Sequence, residues 1–367
     1  MRINRKWIWI ILGSAAILLR LLLSFVPEVT EMLYSRGIFL GIRLFIDYTL
    51  GWMPFPFLFL LFAGLVYLLI KKTRNLIQTH QSFWQTTKRV LFSTVSFLFA
   101  VVFFFLVLWG YNYGRVPVEE TLELDTKPLS LEELKVELDA TTSVLSEARN
   151  NIPNQSEIAM DGSFLPNNLE ESIRKDVENL LEKLGYPTIG EVRGRLLRPK
   201  GILLRFSTAG VYFPWTGESN IDAGLHPIQI PFTLAHEFAH GYGFTAEGTC
   251  NFLAYLACSQ SENPFFQYSG TLGYWRYLAS SYRRMDRENY SDYFQSLPKG
   301  VVADLYAIDE NTDKYPDILP KLRDVAYDTY LKTQGISEGL KSYNRVVMLV
   351  KAWKDKMDYY RINPELN

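Results

Sequence analysis

The apolar positions of this chain follow different patterns before and after residue 111. Up to residue 110 they form three long runs, at about 7–26, 52–70 and 90–109. Each run is close to the roughly 20 residues that a helix needs to cross the hydrocarbon core of a bilayer. The pattern therefore predicts a transmembrane region of three helices over residues 1–110 and a separate domain over residues 111–367.

The basic residues that flank these runs predict an orientation. Three of them precede the first run and five lie between the second and third: Arg2, Arg5, Lys6, Lys71, Lys72, Arg74, Lys88 and Arg89. Short loops rich in Lys and Arg stay in the cytoplasm. The first run also lacks the small-residue cleavage site of a signal peptide, so we expect it to be retained. We therefore expect a multi-pass protein of the cytoplasmic (inner) cell membrane, with its N-terminus in the cytoplasm and residues 111–367 outside it.

Beyond residue 111, apolar residues recur at helical spacing among charged ones. Ser130 and Glu133 match a capping box that opens a helix over 129–150, and a second helix is predicted over 167–184. Residues 201–213 alternate and are rich in branched and aromatic side chains, which predicts one or two strands before a loop at 214–224. Further helices are predicted from Pro231, over 247–258 and along the remainder to residue 360. The fold class expected for this part is α+β, mostly helical with one small sheet.

The composition of the chain limits the classes of partner that can be expected. The net charge of -1 and the isoelectric point near 6.5 come without any basic stripe, so no nucleic-acid partner is expected. The lipid bilayer is an expected partner, and the composition does not indicate an oligomeric state. Cys250 and Cys258 lie eight residues apart in one predicted helix, about 12 Å along its axis, which is beyond disulfide reach. We interpret them as two packed thiols.

Candidate chemistry is concentrated in residues 234–242. The chain has four histidines, and two of them, His236 and His240, are spaced so that they share one face of a helix. Both imidazoles can then reach one zinc ion, while Glu237 can take a proton from a metal-bound water. The alternative is an ordinary pair of histidines on an amphipathic helix, which would leave three polar groups buried without partners. The pattern therefore favours a Zn²⁺ site with His236 and His240 as ligands and Glu237 as general base.

A third ligand is expected from the next predicted helix. Glu247 and Asn251 share one face of that helix, so Glu247 can complete the metal triad while Asn251 accepts a hydrogen bond from a ligand histidine. Glu247 could instead be a first-turn carboxylate favoured by the helix dipole. Glu218 is the next candidate ligand, followed by His226.

Several segments resemble a family of bacterial membrane proteins of unknown function, DUF3810. They are Gly210-Val-Tyr-Phe-Pro-Trp-Thr-Gly-Glu218, Pro231-Phe-Thr-Leu-Ala-His-Glu-Phe-Ala-His240, Asn251-Phe-Leu-Ala-Tyr-Leu-Ala257, Tyr330-Leu-Lys-Thr-Gln-Gly335 and Ser342-Tyr-Asn-Arg-Val-Val347. The resemblance implies transmembrane helices ahead of a zincin-like domain with an HExxH helix. Residues 247–251 are also similar to the Glu-x-x-Ala-Asp motif of membrane-bound gluzincins, in which the Glu ligates zinc. This chain differs from that motif by having Cys250 in place of Ala and Asn251 in place of Asp. It also has Thr249 where DUF3810 members often carry an acidic residue.

The resemblance implies a membrane-anchored zinc metallopeptidase that hydrolyses a peptide or protein substrate. Tyr343 and Arg345, in the family-like C-terminal segment, are the candidates for stabilising the transition state, with surface or packing roles as the alternative. The strand near residues 210–213 either runs along the cleft and pairs with an extended peptide or is an internal sheet strand. Residues 274–282 are interpreted as core. The alternative function is a catalytically inactive zinc-binding membrane protein with a structural or sensory role.

Overall fold

The computed structural model describes residues 5–78, 82–318 and 345–362, together with positions 320, 321, 325 and 329. These residues form two compact units. The first is drawn from Met1–Val116, Ile189–Glu191 and Phe213–Glu218, and the second from Pro117–Thr188, Val192–Tyr212 and Ser219–Asn367.

The first unit is helical. Its elements are α1 (Arg5–Leu23), α2 (Pro27–Val29), a π-helical stretch (Thr30–Ile38), α3 (Phe39–Leu50), α4 (Phe57–Gln78), α5 (Phe83–Leu108) and a 3₁₀ turn (Gly110–Gly114). Ser82 caps α5 by accepting a hydrogen bond from the backbone N–H of Gln85. The helices follow the long apolar runs because a continuous apolar stretch satisfies its backbone polar groups internally only as a helix.

Two of the three predicted membrane spans are confirmed as helices long and apolar enough to cross a bilayer, and the third is wrong. Among the described residues, the two are Lys6–Leu23 and Phe83–Leu108. The run predicted at 52–70 fails because Pro54 and Pro56 precede a helix that begins only at Phe57. The apolar part of that helix runs from Phe57 to Ile70, is followed by Lys71 and Lys72, and covers about 21 Å. The hydrocarbon core is about 30 Å thick.

Helices α1 and α5 pack side by side and run in the same direction. Near their starts, Lys6 donates to Ser93 Oγ, and Ser96 Oγ donates to the Lys6 carbonyl at 2.9 Å. Toward their ends, the Tyr111 hydroxyl, just after α5, donates to the Ala16 carbonyl at 3.2 Å. Because start meets start and end meets end, the two helices are parallel.

The second unit is mostly helical. Its helices are α6 (Val118–Thr121), α7 (Leu131–Asn150), α8 (Leu169–Lys183), α9 (Ile230–Gly241), α10 (Glu247–Ser259), α11 (Pro264–Met285), α12 (Arg287–Gln295), α13 (Lys299–Asp313) and α14 (Arg345–Ile362). The predicted capping box is confirmed, since Ser130 and Glu133 satisfy each other's backbone N–H groups at the start of α7. Helix α10 is buried from Glu247 to Cys258, and both of its cysteines are free buried thiols.

A small sheet has the strands β1 (Arg193–Leu197), β2 (Gly210–Phe213) and β3 (Glu218–Asp222) in the order β1-β3-β2. Of the predicted strand region 201–213, only the last four residues are a strand, and residues 204–206 form a 3₁₀ turn. The prediction of a loop at 214–224 is wrong, because β3 lies inside it.

Strand β3 escapes pattern-based prediction because it is both polar and completely buried. Its polar groups are satisfied by tertiary partners. Asp222 accepts hydrogen bonds from the backbone N–H groups of Gly201 at 2.8 Å and Leu203 at 2.7 Å. Ser219 Oγ donates to the Glu237 carbonyl at 2.8 Å, which ties the central strand to helix α9. Such a strand lacks the alternation of apolar and polar positions from which strands are predicted.

Candidate metal centre

The candidate centre is built on helices α9 and α10. Pro231 lies in the first turn of α9, where its missing N–H costs nothing and its fixed φ favours the helix. The helix ends at Gly241, and Gly243 adopts φ 86°, a left-handed conformation that glycine adopts without steric cost. The chain turns there, and α10 begins at Glu247.

Three side chains converge at this turn. The Nε2 atoms of His236 and His240 lie 3.1 Å apart. Oε2 of Glu247 lies 3.1 Å from Nε2 of His236 and 3.7 Å from Nε2 of His240. The side chains of His236, His240 and Glu247 are 12%, 9% and 11% exposed, respectively. These three residues form a group that could hold a metal ion.

Hydrogen bonds on the far side of each imidazole leave the converging nitrogens available. Asn251 Oδ1 lies 2.8 Å from Nδ1 of His236, and the Phe244 carbonyl lies 2.8 Å from Nδ1 of His240. Both partners are acceptors, so each Nδ1 carries the proton and each Nε2 presents its lone pair. The predicted contact between Asn251 and His236 is present, and the role of Asn251 as the partner of a metal ligand stays a prediction. Cys250 Sγ is a second neighbour of His240 Nδ1, at 3.3 Å.

The three converging groups influence one another's charge. Burial alone would lower the pKa of His240, but Cys250 and Glu247 outweigh it and raise that pKa well above its ordinary value. Burial would likewise raise the pKa of Glu247, yet His240 and His236 hold it well below the usual range. Without a metal, these directions favour an imidazolium of His240 paired with the carboxylate of Glu247. A metal ion bound here would take the place of that proton, because a histidine ligand has to be neutral.

Glu237 is a fourth buried polar residue beside this group. It is 4% exposed, and it accepts a hydrogen bond from the backbone N–H of Tyr212 on strand β2. Burial raises the pKa of Glu237, although His236 and His240 act in the opposite direction. Its Oε2 atom is buried and has no hydrogen-bond partner among the residues that the structure describes. A buried carboxylate oxygen without a partner is costly, so this atom is suited to a water or ligand bound in the centre.

The two alternative third ligands have other partners. Glu218, 3% exposed, accepts a hydrogen bond from the backbone N–H of Phe57 at 2.9 Å. His226 Nδ1 accepts a hydrogen bond from the backbone N–H of Ile228 at 3.4 Å. Neither belongs to the converging group.

No contact among the described residues brings Arg345, one of the two predicted transition-state stabilisers, to the centre. Arg345 forms an ion pair with Glu119, which gives its guanidinium a structural partner. Tyr343 lies outside the described residues. Their catalytic roles stay predictions.

One residue near the centre was missed by the sequence reasoning. Tyr277, on α11, was assigned to the core, but it lies close enough to Glu247 and Asn251 for both to act on its pKa. It is 26 residues or more from either of them in the chain, and no short-range spacing could have signalled the contact.

Comparison with known proteins identifies one relation. A family model described as "Protein of unknown function (DUF3810)" matches residues 34–351. No curated protein matches the chain. No solved structure matches it either.

Proposed function

We propose that this chain, which belongs to the DUF3810 family of proteins of unknown function, is a zinc-dependent peptidase anchored in a membrane. The observation that carries the proposal is the convergence of His236, His240 and Glu247 beside Glu237, whose buried Oε2 atom has no hydrogen-bond partner in the part of the chain that the structure describes. A ligand set alone would fit a structural ion. The extra carboxylate beside it is what peptide hydrolysis requires.

The donor set fits zinc. Two imidazoles and one carboxylate are a ligand set of catalytic zinc sites, which keep a fourth position open. Metal–ligand bonds of about 2.0–2.1 Å in a tetrahedron place ligand atoms about 3.3 Å apart. The distances between the three donor atoms, 3.1, 3.1 and 3.7 Å, bracket that value. Little rearrangement is therefore needed to take up the ion.

The proposed reaction is hydrolysis of a peptide bond. Zinc, when bound, polarises the scissile carbonyl and lowers the pKa of a water molecule. Glu237 accepts a proton from that water and delivers it to the leaving amine. Its raised pKa suits both steps, because a general base works best when its pKa approaches the working pH. The Tyr212 N–H holds the Glu237 carboxylate in place.

Strand β2 supports a peptide as the substrate. It lies at one edge of the sheet, since β3 occupies the middle position. Its residues Gly210 and Tyr212 lie against Glu237. An extended peptide that adds to an exposed strand edge gains main-chain hydrogen bonds without requiring a particular side-chain sequence. We propose that the substrate pairs with β2 in this way and so brings its scissile bond to Glu237.

Replacing Gly210 by Ala tests this arrangement. A Cβ atom at this position would lie 2.7 Å from Glu237 Oε1 and 2.8 Å from its Cγ, so the carboxylate has to move. We expect hydrolysis to fall by about 100-fold, as misplacement of a reacting group by about 1 Å can cause, with zinc content unchanged. Activity and metal content of the purified variant are the measurements. Gly64→Ala is the control, because its added Cβ meets nothing within 4 Å, and equal activity in the two variants would contradict the arrangement.

The membrane anchor is proposed to be α1 and α5. The proposed topology places the N-terminus in the cytoplasm and residues 111–367 outside, in agreement with the basic residues that precede α1 and α5.

Cysteine labelling tests this topology. Both native cysteines are buried, so a cysteine placed at an exposed site provides the signal. We expect a membrane-impermeant maleimide to label Glu262→Cys in spheroplasts and to label Ser82→Cys only after the membrane is opened. The wild-type chain is the background control, and the reverse pattern of protection would refute the orientation.

The alternative function is a zinc site that is structural or sensory and does not turn over substrate. Purified full-length protein that contains zinc but cleaves nothing in a broad peptide library would favour it. Glu237 favours the enzyme, because a structural site gains no stability from a buried carboxylate oxygen that has no hydrogen-bond partner among the described residues.

A further inference from the structure

Strand β2 continues from the candidate centre into the first unit of the protein. Its residues Gly210 and Tyr212 belong to the second unit, whereas Phe213–Glu218, the β2–β3 turn, belongs to the first. A Cβ atom at Gly210 would lie 2.7 Å from Oε1 of Glu237. The β2–β3 turn therefore begins about 10 Å along the strand from the point where β2 meets the proposed general base.

Helices α3 and α4 of the first unit hold the β2–β3 turn. Oε2 of Glu218 accepts a hydrogen bond at 2.9 Å from the backbone N–H of Phe57, the first residue of α4, where the helix dipole favours a carboxylate. Gly217 has φ 67°, and a Cβ atom added to it would lie 2.7 Å from Cγ2 of Ile46 on α3. The turn is thus a fixed part of the first unit.

Aromatic rings place the β2–β3 turn at the end of helix α5, one of the two proposed membrane anchors. The ring centroid of Trp215 lies 5.8 Å from that of Phe105 and 4.9 Å from that of Phe213. Phe105 lies in the last turn of α5, which ends at Leu108 and is followed by Trp109. Tryptophan side chains are enriched where a span leaves the hydrocarbon core. The turn therefore lies at the level of the membrane–water interface.

We infer that the substrate is a polypeptide that is itself anchored in the membrane and that it is cut within a few residues of the bilayer surface. The inference rests on the proposed function, both for hydrolysis at Glu237 and for α5 as an anchor. A peptide that pairs with β2 lies along this strand, so one of its ends is directed toward the β2–β3 turn. Six extended residues cover about 20 Å, which is enough to connect the bond beside Glu237 with the bilayer.

The length of chain between the anchor and the scissile bond determines how well a substrate fits. The effective concentration of a tethered site falls roughly as the −3/2 power of the tether length, so a threefold longer tether lowers it about fivefold. A centre close to the bilayer surface therefore favours bonds near the anchor. A centre far from the surface would cut only bonds that lie far from the anchor.

The position of the cut tests the inference. The full-length protein is reconstituted in vesicles of phosphatidylethanolamine and phosphatidylglycerol with randomised peptides of about 20 residues, roughly 66 Å when extended. A dialkyl lipid is coupled to the N-terminus of one peptide library and to the C-terminus of another. Mass spectrometry of the products gives the distance of each cut from the lipid. We expect the cuts in at least one library to concentrate within about six residues of the lipid.

A third library without lipid separates failure of this inference from failure of the proposed function. Cuts spread evenly along the anchored peptides, cuts concentrated at their far ends, or cutting of the free library alone would overturn the anchored substrate and leave the peptidase intact. If the zinc-loaded protein cuts none of the libraries, the proposed function fails and this inference fails with it. A tether raises the rate of any membrane-bound peptidase, so the position of the cut is compared and not the rate.

Trp215→Ala tests the part played by the β2–β3 turn. Loss of an aromatic pair changes an equilibrium by a factor of about 2–10, so we expect the ratio of near to far cuts to fall by a similar factor, with zinc content unchanged. Trp84→Ala is the matched control, because Trp84 lies in the first turn of α5, at its other end, and is 72% exposed. An unchanged ratio in Trp215→Ala, or an equal change in Trp84→Ala, would contradict the placement of the turn against α5. If Trp215→Ala does not fold, the cut positions of the wild-type protein still decide the inference.

Discussion

Glu237→Gln is expected to abolish peptide hydrolysis while the protein keeps its zinc. The amide retains the size and burial of the carboxylate but cannot accept a proton from water. Proton transfer by a positioned side chain contributes about 10²–10⁴-fold to a rate, and we expect a loss of that size. Turnover of a responsive peptide and zinc content of the same preparation are the two measurements.

The control for this change is Glu262→Gln, which makes the same substitution at an exposed position beyond the end of α10. It should leave both activity and zinc unchanged. Full activity in Glu237→Gln would refute the role of Glu237, and loss of zinc in that variant would show that the carboxylate supports the metal directly.

His236→Ala is expected to remove zinc and activity together. It takes away one of three ligands and leaves Oδ1 of Asn251 without its partner. The loss of affinity should exceed the roughly 10–100-fold that removal of an outer partner causes. Metal analysis after dialysis against a weak chelator, together with the zinc dissociation constant, measures it.

His226→Ala is the matched control, because His226 makes a local hydrogen bond to the chain at Ile228 and lies outside the converging group. It should retain its zinc. Zinc retained at full affinity in His236→Ala, or lost equally in His226→Ala, would contradict the proposed coordination.

The helices of the second unit were largely predictable because their signals are local. The capping box of Ser130 and Glu133 and the proline at the start of α9 lie within a turn of the boundaries that they set. The same holds for His236 and His240, since helical spacing alone places them on one face. The prediction of a third membrane span was wrong for a local reason that the apolar pattern does not take into account. The prolines before α4 delay the start of that helix.

The sequence by itself determined which residues could carry chemistry: a pair of histidines one turn apart, the carboxylate between them, and Glu247 and Asn251 on one face of the next helix. Only the tertiary structure decided that Glu247 meets the two imidazoles while Glu218 and His226 do not. It alone placed Gly210 and Tyr212 against Glu237, and Tyr277 beside Asn251. The physical reason is the distance along the chain over which each kind of signal acts. Helical periodicity relates residues three or four positions apart, whereas the packing of strands and helices joins residues that no spacing in the chain connects.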